Sequence, residues 1–150
     1  MENLIMKAFY ENIKNILDKK EKSEKDTEYI VTLLQEIKER INNLTRRRSD
    51  LHKEFDLKLD NKIIGNMISN NALEENDIKL LINFVYTERL LKLCPPYMDN
   101  NVLETQDDLL SNLNENTINE TIVEFINSTH DILNDIYISL ELFHKTHQKE

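Results

Sequence analysis

The chain has 150 residues, with 28 acidic and 19 basic side chains and a formal net charge of −9. A single glycine and two prolines are too few for a hairpin-rich β fold, whose turns need glycine, so the composition predicts an all-α protein. This length predicts one helical domain over residues 1–150, which needs no metal or disulfide to fold.

The sequence also predicts a cytoplasmic, intracellular protein. The single cysteine, Cys94, cannot form an internal disulfide, which fits a reducing compartment. No apolar run approaches the roughly 20 residues that span a bilayer. The opening residues lack the basic and apolar regions of a secretory signal.

The first predicted elements are two amphipathic helices. Apolar residues at helical spacing predict a helix over residues 2–19. The charged stretch 19–26 is interpreted as a mobile linker or a solvated continuation of that helix. Asp26 is predicted to cap a second helix, whose apolar stripe runs from Ile30 to Leu44.

Two shorter helices follow an arginine-rich break. Ser49 or Asp50 is predicted to cap the first of them, and Asp60 the second. Gly65 in the second helix suggests close packing against a neighbour, and Asn70-Asn71 is predicted to end that helix in a left-handed conformation. The predicted core side of this helix consists of Ile63, Ile64, Met67 and Ile68.

The most apolar element is a helix at about residues 76–94. Its side chains are apolar around most of the circumference, which is typical of a central helix. Cys94-Pro95-Pro96 ends it, because proline lacks an N–H and disfavours a helical preceding residue. A moderate helix lies within residues 102–113, and a long one over about 117–144 opens with capping-box spacing at Thr117 and Glu120. We therefore expect a single bundle of six or seven helices around 78–94 and 120–143.

No catalytic, cofactor or metal site is predicted. One glycine cannot supply a phosphate-binding loop, and no motif activates Cys94, which fits a buried apolar role. His52 and His130 are solitary and are interpreted as structural. Glu141, His144 and His147 could share a helix face, but the chain offers no supporting shell there for zinc. We expect a protein that is not an enzyme.

A concentrated positive patch is formed by Arg46-Arg47-Arg48, with Lys38 and Arg40 nearby. The patch is interpreted first as solvated, or as contacting the acidic C-terminal helices within the fold. Its alternatives are an acidic partner protein and, less favoured, nucleic acid.

Residues 98–143 contain ten acidic residues and no Lys or Arg. Such a tract repels phosphate, so nucleic acid binding is disfavoured there. The acidic face either keeps the protein soluble or steers a basic protein partner. The candidate partner-binding residues are Arg46, Arg47, Arg48, Asp107, Asp108, Asp131 and Asp135.

Residues 30–105 resemble the T-complex protein eleven family. The resemblance rests on a Leu-Leu-Gln-Glu-Ile-Lys-Glu-Arg helix at 33–40, an Asn-Ala-Leu-Glu turn at 71–74, Leu-Ile-Asn-Phe-Val at 81–85 and Lys-Leu-Cys-Pro-Pro-Tyr-Met-Asp at 92–99. The family has "G-A-L-D" at the turn and "K-L-C-A-P-x-R-D" at the helix end. Here Asn71 replaces the glycine, Pro95 the alanine and Met98 the arginine.

The resemblance implies a regulatory role, since family members are associated with cyclic-AMP and protein-kinase-A signalling and are not known as enzymes. We therefore expect a regulatory or adaptor protein that binds other proteins in kinase-linked signalling. Two alternatives remain. One is a Bcl-like viral regulator of host death or inflammatory signalling, although the chain has no Trp. The other is a structural protein that forms homo-oligomers through its C-terminal helix.

Overall fold

The computed structural model describes residues 2–148, and it describes side chains for residues 4–145. Its helices are α1 Glu2–Asp18, α2 Glu24–Asn43, α3 Ser49–Lys58, α4 Asn61–Ser69, α5 Glu75–Asn83, a π-helical segment Phe84–Leu90, α6 Leu91–Leu93, a 3-10 turn Pro96–Met98, α7 Asp99–Asn112 and α8 Ile118–Gln148. The segments from Glu75 to Leu93 run on without a break and are called the hub helix. These elements confirm the predicted all-α bundle.

One hydrophobic cluster joins the bundle. The long helix α8 packs against α1, α2, α5 and α7, and its Ile126, Leu133 and Ile136 are fully buried. The hub helix contributes Val85 and Leu90, which are equally inaccessible. The core therefore lies around the hub helix and the C-terminal helix, as the sequence predicts.

The hub helix is buried on fewer sides than its composition suggests. Within the π-helical segment, Tyr86 is fully buried, and its hydroxyl lies 3.0 Å from Thr129 Oγ1, which satisfies a polar group in the core. In α5, however, Leu80 is 61% exposed and Leu81 only partly buried. The predicted central position of the hub helix is confirmed, but the outer face of α5 borders a cleft rather than another helix.

Two predicted N-caps differ from those observed. Ser23, not Asp26, caps α2: its hydroxyl accepts the Asp26 N–H at 3.1 Å, and the Asp26 carboxylate accepts the Ser23 N–H at 3.2 Å. This is a capping box, in which both residues satisfy backbone donors. At α3 the N-cap position is Arg48, without a side-chain cap, and Ser49 and Asp50 already lie inside the helix.

The ends of α4 follow the sequence closely. Asp60 accepts the N–H groups of Lys62 at 2.9 Å and of Ile63 at 3.1 Å. Asn71 has a φ of 53°, and the Asn71 and Ala72 N–H groups bond back to Ile68 and Met67. This pattern is a Schellman motif, so the predicted left-handed terminator is confirmed.

The packing of α4 is confirmed on one side only. A Cβ built on Gly65 would lie 3.5 Å from Val31 Cγ2, so α4 packs closely on α2 there. Ile63, in contrast, is 59% exposed, and its predicted place in the core is wrong.

The connector at 19–23 is tied to the end of α4, because Asn71 Nδ2 donates to the Lys20 carbonyl at 2.7 Å.

Two buried cations hold α3 in place. Lys38 of α2 is 4% exposed; its ammonium donates to the Leu59 carbonyl and pairs with Asp56, both at 3.0 Å. A cation at the carboxyl end of a helix satisfies the last carbonyls and interacts favourably with the negative end of the helix dipole.

Arg89 of the hub helix is 3% exposed and holds α3 from the other side. Its guanidinium pairs with Glu54 of α3 at 2.7 Å and lies 4.6 Å from the centre of the Phe84 ring. Ion pairing and contact with an aromatic face together offset part of the free-energy cost of burying this charge.

Candidate functional site

The three predicted arginines lie in the connection between α2 and α3, and all three are exposed. Arg48 forms a bidentate pair with Asp50, at 3.0 and 2.8 Å, and this hydrogen-bonded pair lowers the Asp50 pKa to about 2. Among the described residues, Arg46 and Arg47 make no ion pair. Two guanidinium groups therefore face solvent at this end of α2.

The other two cations of the predicted positive patch point away from it. Lys38 is buried against the end of α3. Arg40 reaches α8 instead, where it lies 2.8 Å from His130 Nδ1 and donates to Asn134 Oδ1 at 2.8 Å. The structure therefore divides the patch, and the contact with the C-terminal helices is made by Arg40.

The two solitary histidines have structural contacts. Burial, together with the positive charge of Arg40, lowers the pKa of His130, so this imidazole is neutral at pH 7 and accepts a hydrogen bond from the guanidinium. His52 Nε2 lies 3.1 Å from the Asn42 carbonyl and joins the start of α3 to the end of α2. Both rings stabilise helix contacts.

Four carboxylates line one face of α8. Their spacing of 4, 11 and 15 residues from Glu120 places them within about 60° of one another, along about 22 Å of helix. We call this face the acidic ridge; it consists of Glu120, Glu124, Asp131 and Asp135. The ridge contains two of the four aspartates predicted to bind a partner.

The other two predicted aspartates lie on α7. Asp108 lines a cleft between α7 and α8 together with Glu120 and Glu124 of the ridge. Asp107 is exposed and is not among the residues that line this cleft. The structure thus brings Asp108 beside the ridge and leaves Asp107 apart from it.

A shallow apolar groove runs along the other flank of the ridge, between α1 and α8. Met6 and Tyr10 of α1 and Val123 of α8 supply its apolar surface, and Glu124 and Asp131 stand at its edge. The sequence does not reveal the contribution of α1, because helix periodicity identifies an apolar face but not the helix it packs against. The groove offers apolar contact area directly beside the carboxylates.

The ridge carries little compensating positive charge. Lys14 of α1 pairs with Glu120 at 3.5 Å, whereas Glu124, Asp131 and Asp135 make no ion pair within the described residues. Partial burial and the neighbouring Asp135 charge raise the pKa of Asp131. Burial also raises the pKa of Tyr10, and the charges of Asp131 and Glu124 add to this. A cation arriving at this face would relieve the repulsion between its carboxylates.

Cys94 forms part of a structural turn. Its thiol donates to the Asp99 carboxylate at 3.4 Å, which links the end of the hub helix to the start of α7. Burial and this carboxylate raise the Cys94 pKa to about 11. The thiol is therefore protonated at neutral pH and is a poor nucleophile.

The described residues contain no group of three or more His, Cys, Asp or Glu side chains placed to hold a metal ion. His144 makes an edge contact with the Phe143 ring, and the side chain of His147 lies outside the described residues. Within residues 2–148, no helix is long and apolar enough to cross a membrane.

The family model for T-complex protein 11 matches residues 2–136, so the chain belongs to that family. The match extends well beyond the 30–105 stretch that carries the resemblance in the sequence. Searches among curated proteins and among solved structures gave no match. Asn71, where the family has glycine, adopts the positive φ that glycine favours. Met98, where the family has arginine, is buried.

Proposed function

We propose that this member of the T-complex protein 11 family is a non-enzymatic, cytoplasmic regulatory or adaptor protein, and that its acidic ridge binds a basic segment of a partner protein. The observation that carries the proposal is that three carboxylates of the ridge, Glu124, Asp131 and Asp135, make no ion pair within the described residues. Asp131 in particular stands next to Asp135, and partial burial together with this neighbouring charge raises its pKa.

The ridge combines charge with apolar area. The electrostatic field of a surface whose charges share one sign raises the encounter rate with an oppositely charged partner and disfavours partners of like charge. The groove beside it, with Met6 and Tyr10, supplies contact surface for the apolar part of the same segment. Membership of the family supports a place in kinase-linked signalling.

A second candidate function is self-association through α8. Ile138 is 55% exposed and Leu140 is 40% exposed near the C-terminal end of α8. Sedimentation of the purified protein at several concentrations tests this candidate. A Bcl-like regulator has no support of this kind, since the family match assigns the chain elsewhere.

The proposal is tested by affinity capture with three versions of the protein, followed by mass spectrometry. The first is the unchanged chain, and the second carries Asp131→Lys and Asp135→Lys on the ridge. The third is a matched control with Glu28→Lys and Glu36→Lys, two exposed carboxylates of α2. We expect partners that the unchanged chain and the control retain and that the ridge variant loses. Identical sets of captured proteins for the two variants would contradict the proposal.

A further inference from the structure

Three large apolar side chains from three helices meet around one groove. Leu57 of α3 is 83% exposed, Ile63 of α4 is 59% exposed and Leu80 of α5 is 61% exposed. All three line the same groove between the α3–α4 corner and the hub helix. Single exposed apolar residues are normal on protein surfaces, whereas a cluster around a groove marks an interaction site. We call this feature the hub groove.

The groove exists because its two walls pack on different partners. Helix α4 packs on α2 around Gly65, and the hub helix packs on α7 and α8. The space between them is floored by Ile64, Leu81 and Phe84. The hub residues along it extend from 77 to 88, which corresponds to about 16 Å of helix.

The walls are firmly held. The Arg89–Glu54 pair fixes α3 to the hub helix, and Lys38 fixes the end of α3 to α2. The groove is therefore formed before a partner arrives, which lowers the entropic cost of binding.

Carboxylates stand at both ends of the hub groove. Asp77 lies at one end, Glu54 and Glu88 lie at the other, and Asp60 stands on the wall. Lys58 is the one cation among the residues lining it. Glu54 and Glu88 pair with Arg89 and Lys92, but about half of each side chain stays exposed.

Asp60 and Asp77 accept backbone N–H groups at the starts of α4 and α5 and make no ion pair in the part of the chain that the structure describes. These charges favour a partner with a Lys or Arg near each end of its apolar stripe.

We propose that the hub groove binds an amphipathic helix of a partner protein, about three turns long, with apolar side chains at i, i+3 or i+4, and i+7 and a basic residue near each end. An apolar groove of this length suits the helix-in-groove mode of recognition. Strand addition needs an exposed sheet edge, and the described residues form no strand. Proline-rich ligands need an aromatic groove, whereas the lining here is mostly aliphatic. This site is separate from the acidic ridge.

The test is a selection from a display library of random helical peptides of about four turns, using the whole chain as bait. Enriched peptides are then synthesised, and their affinities are measured for the unchanged chain, for Leu80→Glu and for Leu103→Glu. Leu103 is a matched control because it is also an exposed leucine but lies on α7. Circular dichroism checks that both variants keep their helix content.

We expect the enriched peptides to share the apolar spacing with terminal Lys or Arg, and Leu80→Glu to weaken them about tenfold or more. Leu103→Glu and the ridge variant Asp131→Lys, Asp135→Lys should bind them unchanged, which separates this proposal from the ridge. No enrichment, or equal binding by Leu80→Glu, would overturn the proposal. Self-association of the unchanged chain that Leu80→Glu abolishes would also overturn it, because the occupant would then be a second copy.

Discussion

The two sides of the bundle use charge in opposite ways. Where α2 and the hub helix meet α3, Lys38 and Arg89 are buried, and each pairs with a carboxylate of α3. On the outer face of α8, Asp131 and Asp135 lie one turn apart with no cation paired to them among the described residues. Around α3 the charges join helices to one another, whereas on the outer face of α8 they stay available to solvent.

This difference shows which charges are explained by the fold. A buried cation that loses its partner is strongly destabilising, so the pairs around α3 have a structural reason. Neighbouring carboxylates repel each other, so Asp131 and Asp135 of the acidic ridge do not stabilise the bundle. These two charges need another reason, and the proposed binding of a basic partner supplies one.

The largest effect is expected at the junction of the hub helix and α3. Phe84 packs edge-on against Phe55 and lies under the Arg89 guanidinium. Phe84→Ala should lower the free energy of unfolding by about 3–5 kcal/mol, through lost burial and the cavity left behind. Chemical denaturation measures this, and a loss below about 1 kcal/mol would show that the junction is not part of the core.

A smaller loss is expected on the α2 side of α3. Lys38→Ala leaves the buried Leu59 carbonyl without its donor, which should cost about 1–3 kcal/mol. Arg46→Ala, at an exposed position of the same region, is the control and should change stability by less than about 0.5 kcal/mol. Equal losses in the two variants would mean that burial does not distinguish these cations.

On the outer face of α8, removing a charge should raise rather than lower the stability of the folded chain. The folded chain raises the pKa of Asp131 above its unfolded value. The proton therefore binds the folded state more tightly, and the resulting stability is present at low pH and lost as the pH rises through the folded pKa. At pH 7 the charged form opposes folding.

Asp131→Asn should therefore raise the melting temperature slightly at pH 7. The gain in the free energy of unfolding should be no more than about 0.5 kcal/mol, because the position is exposed. This gain should shrink towards pH 3. Thermal unfolding at the two pH values checks this. A lower melting temperature at pH 7 would show that the Asp131 charge is compensated after all.

The sequence predicts the helices well and their surroundings less well. Asp60 and Asn71 act at the ends of α4 as predicted, because caps depend on local backbone chemistry. The capping of α2 by Ser23 was missed, since Asp26 occupies the third position of the same box. Exposure of Ile63 and Leu80 was also missed, because periodicity does not show that a cleft rather than a helix faces them.

The candidate site was predicted only in part, because the sequence pattern does not show which elements face each other. The carboxylates of α8 stand out in the sequence by composition alone. Their division into a ridge with Asp131 and Asp135, and the separation of Asp107 from it, depends on how α1 and α7 pack against α8. The burial of Lys38 away from the arginines likewise depends on the position of α3.

The most direct test of the acidic side is the association rate of a captured partner with the unchanged chain and with a variant that carries Asp107→Lys, Asp108→Lys, Asp131→Lys and Asp135→Lys. The account predicts slower association for the variant at low salt. It also predicts that the difference narrows at higher salt, because the Debye length falls to about 8 Å at 0.15 M. The melting temperature of the variant should stay close to that of the unchanged chain. An association rate that is the same for both proteins at low and high salt would contradict the account and leave solubility as the reason for the acidic face.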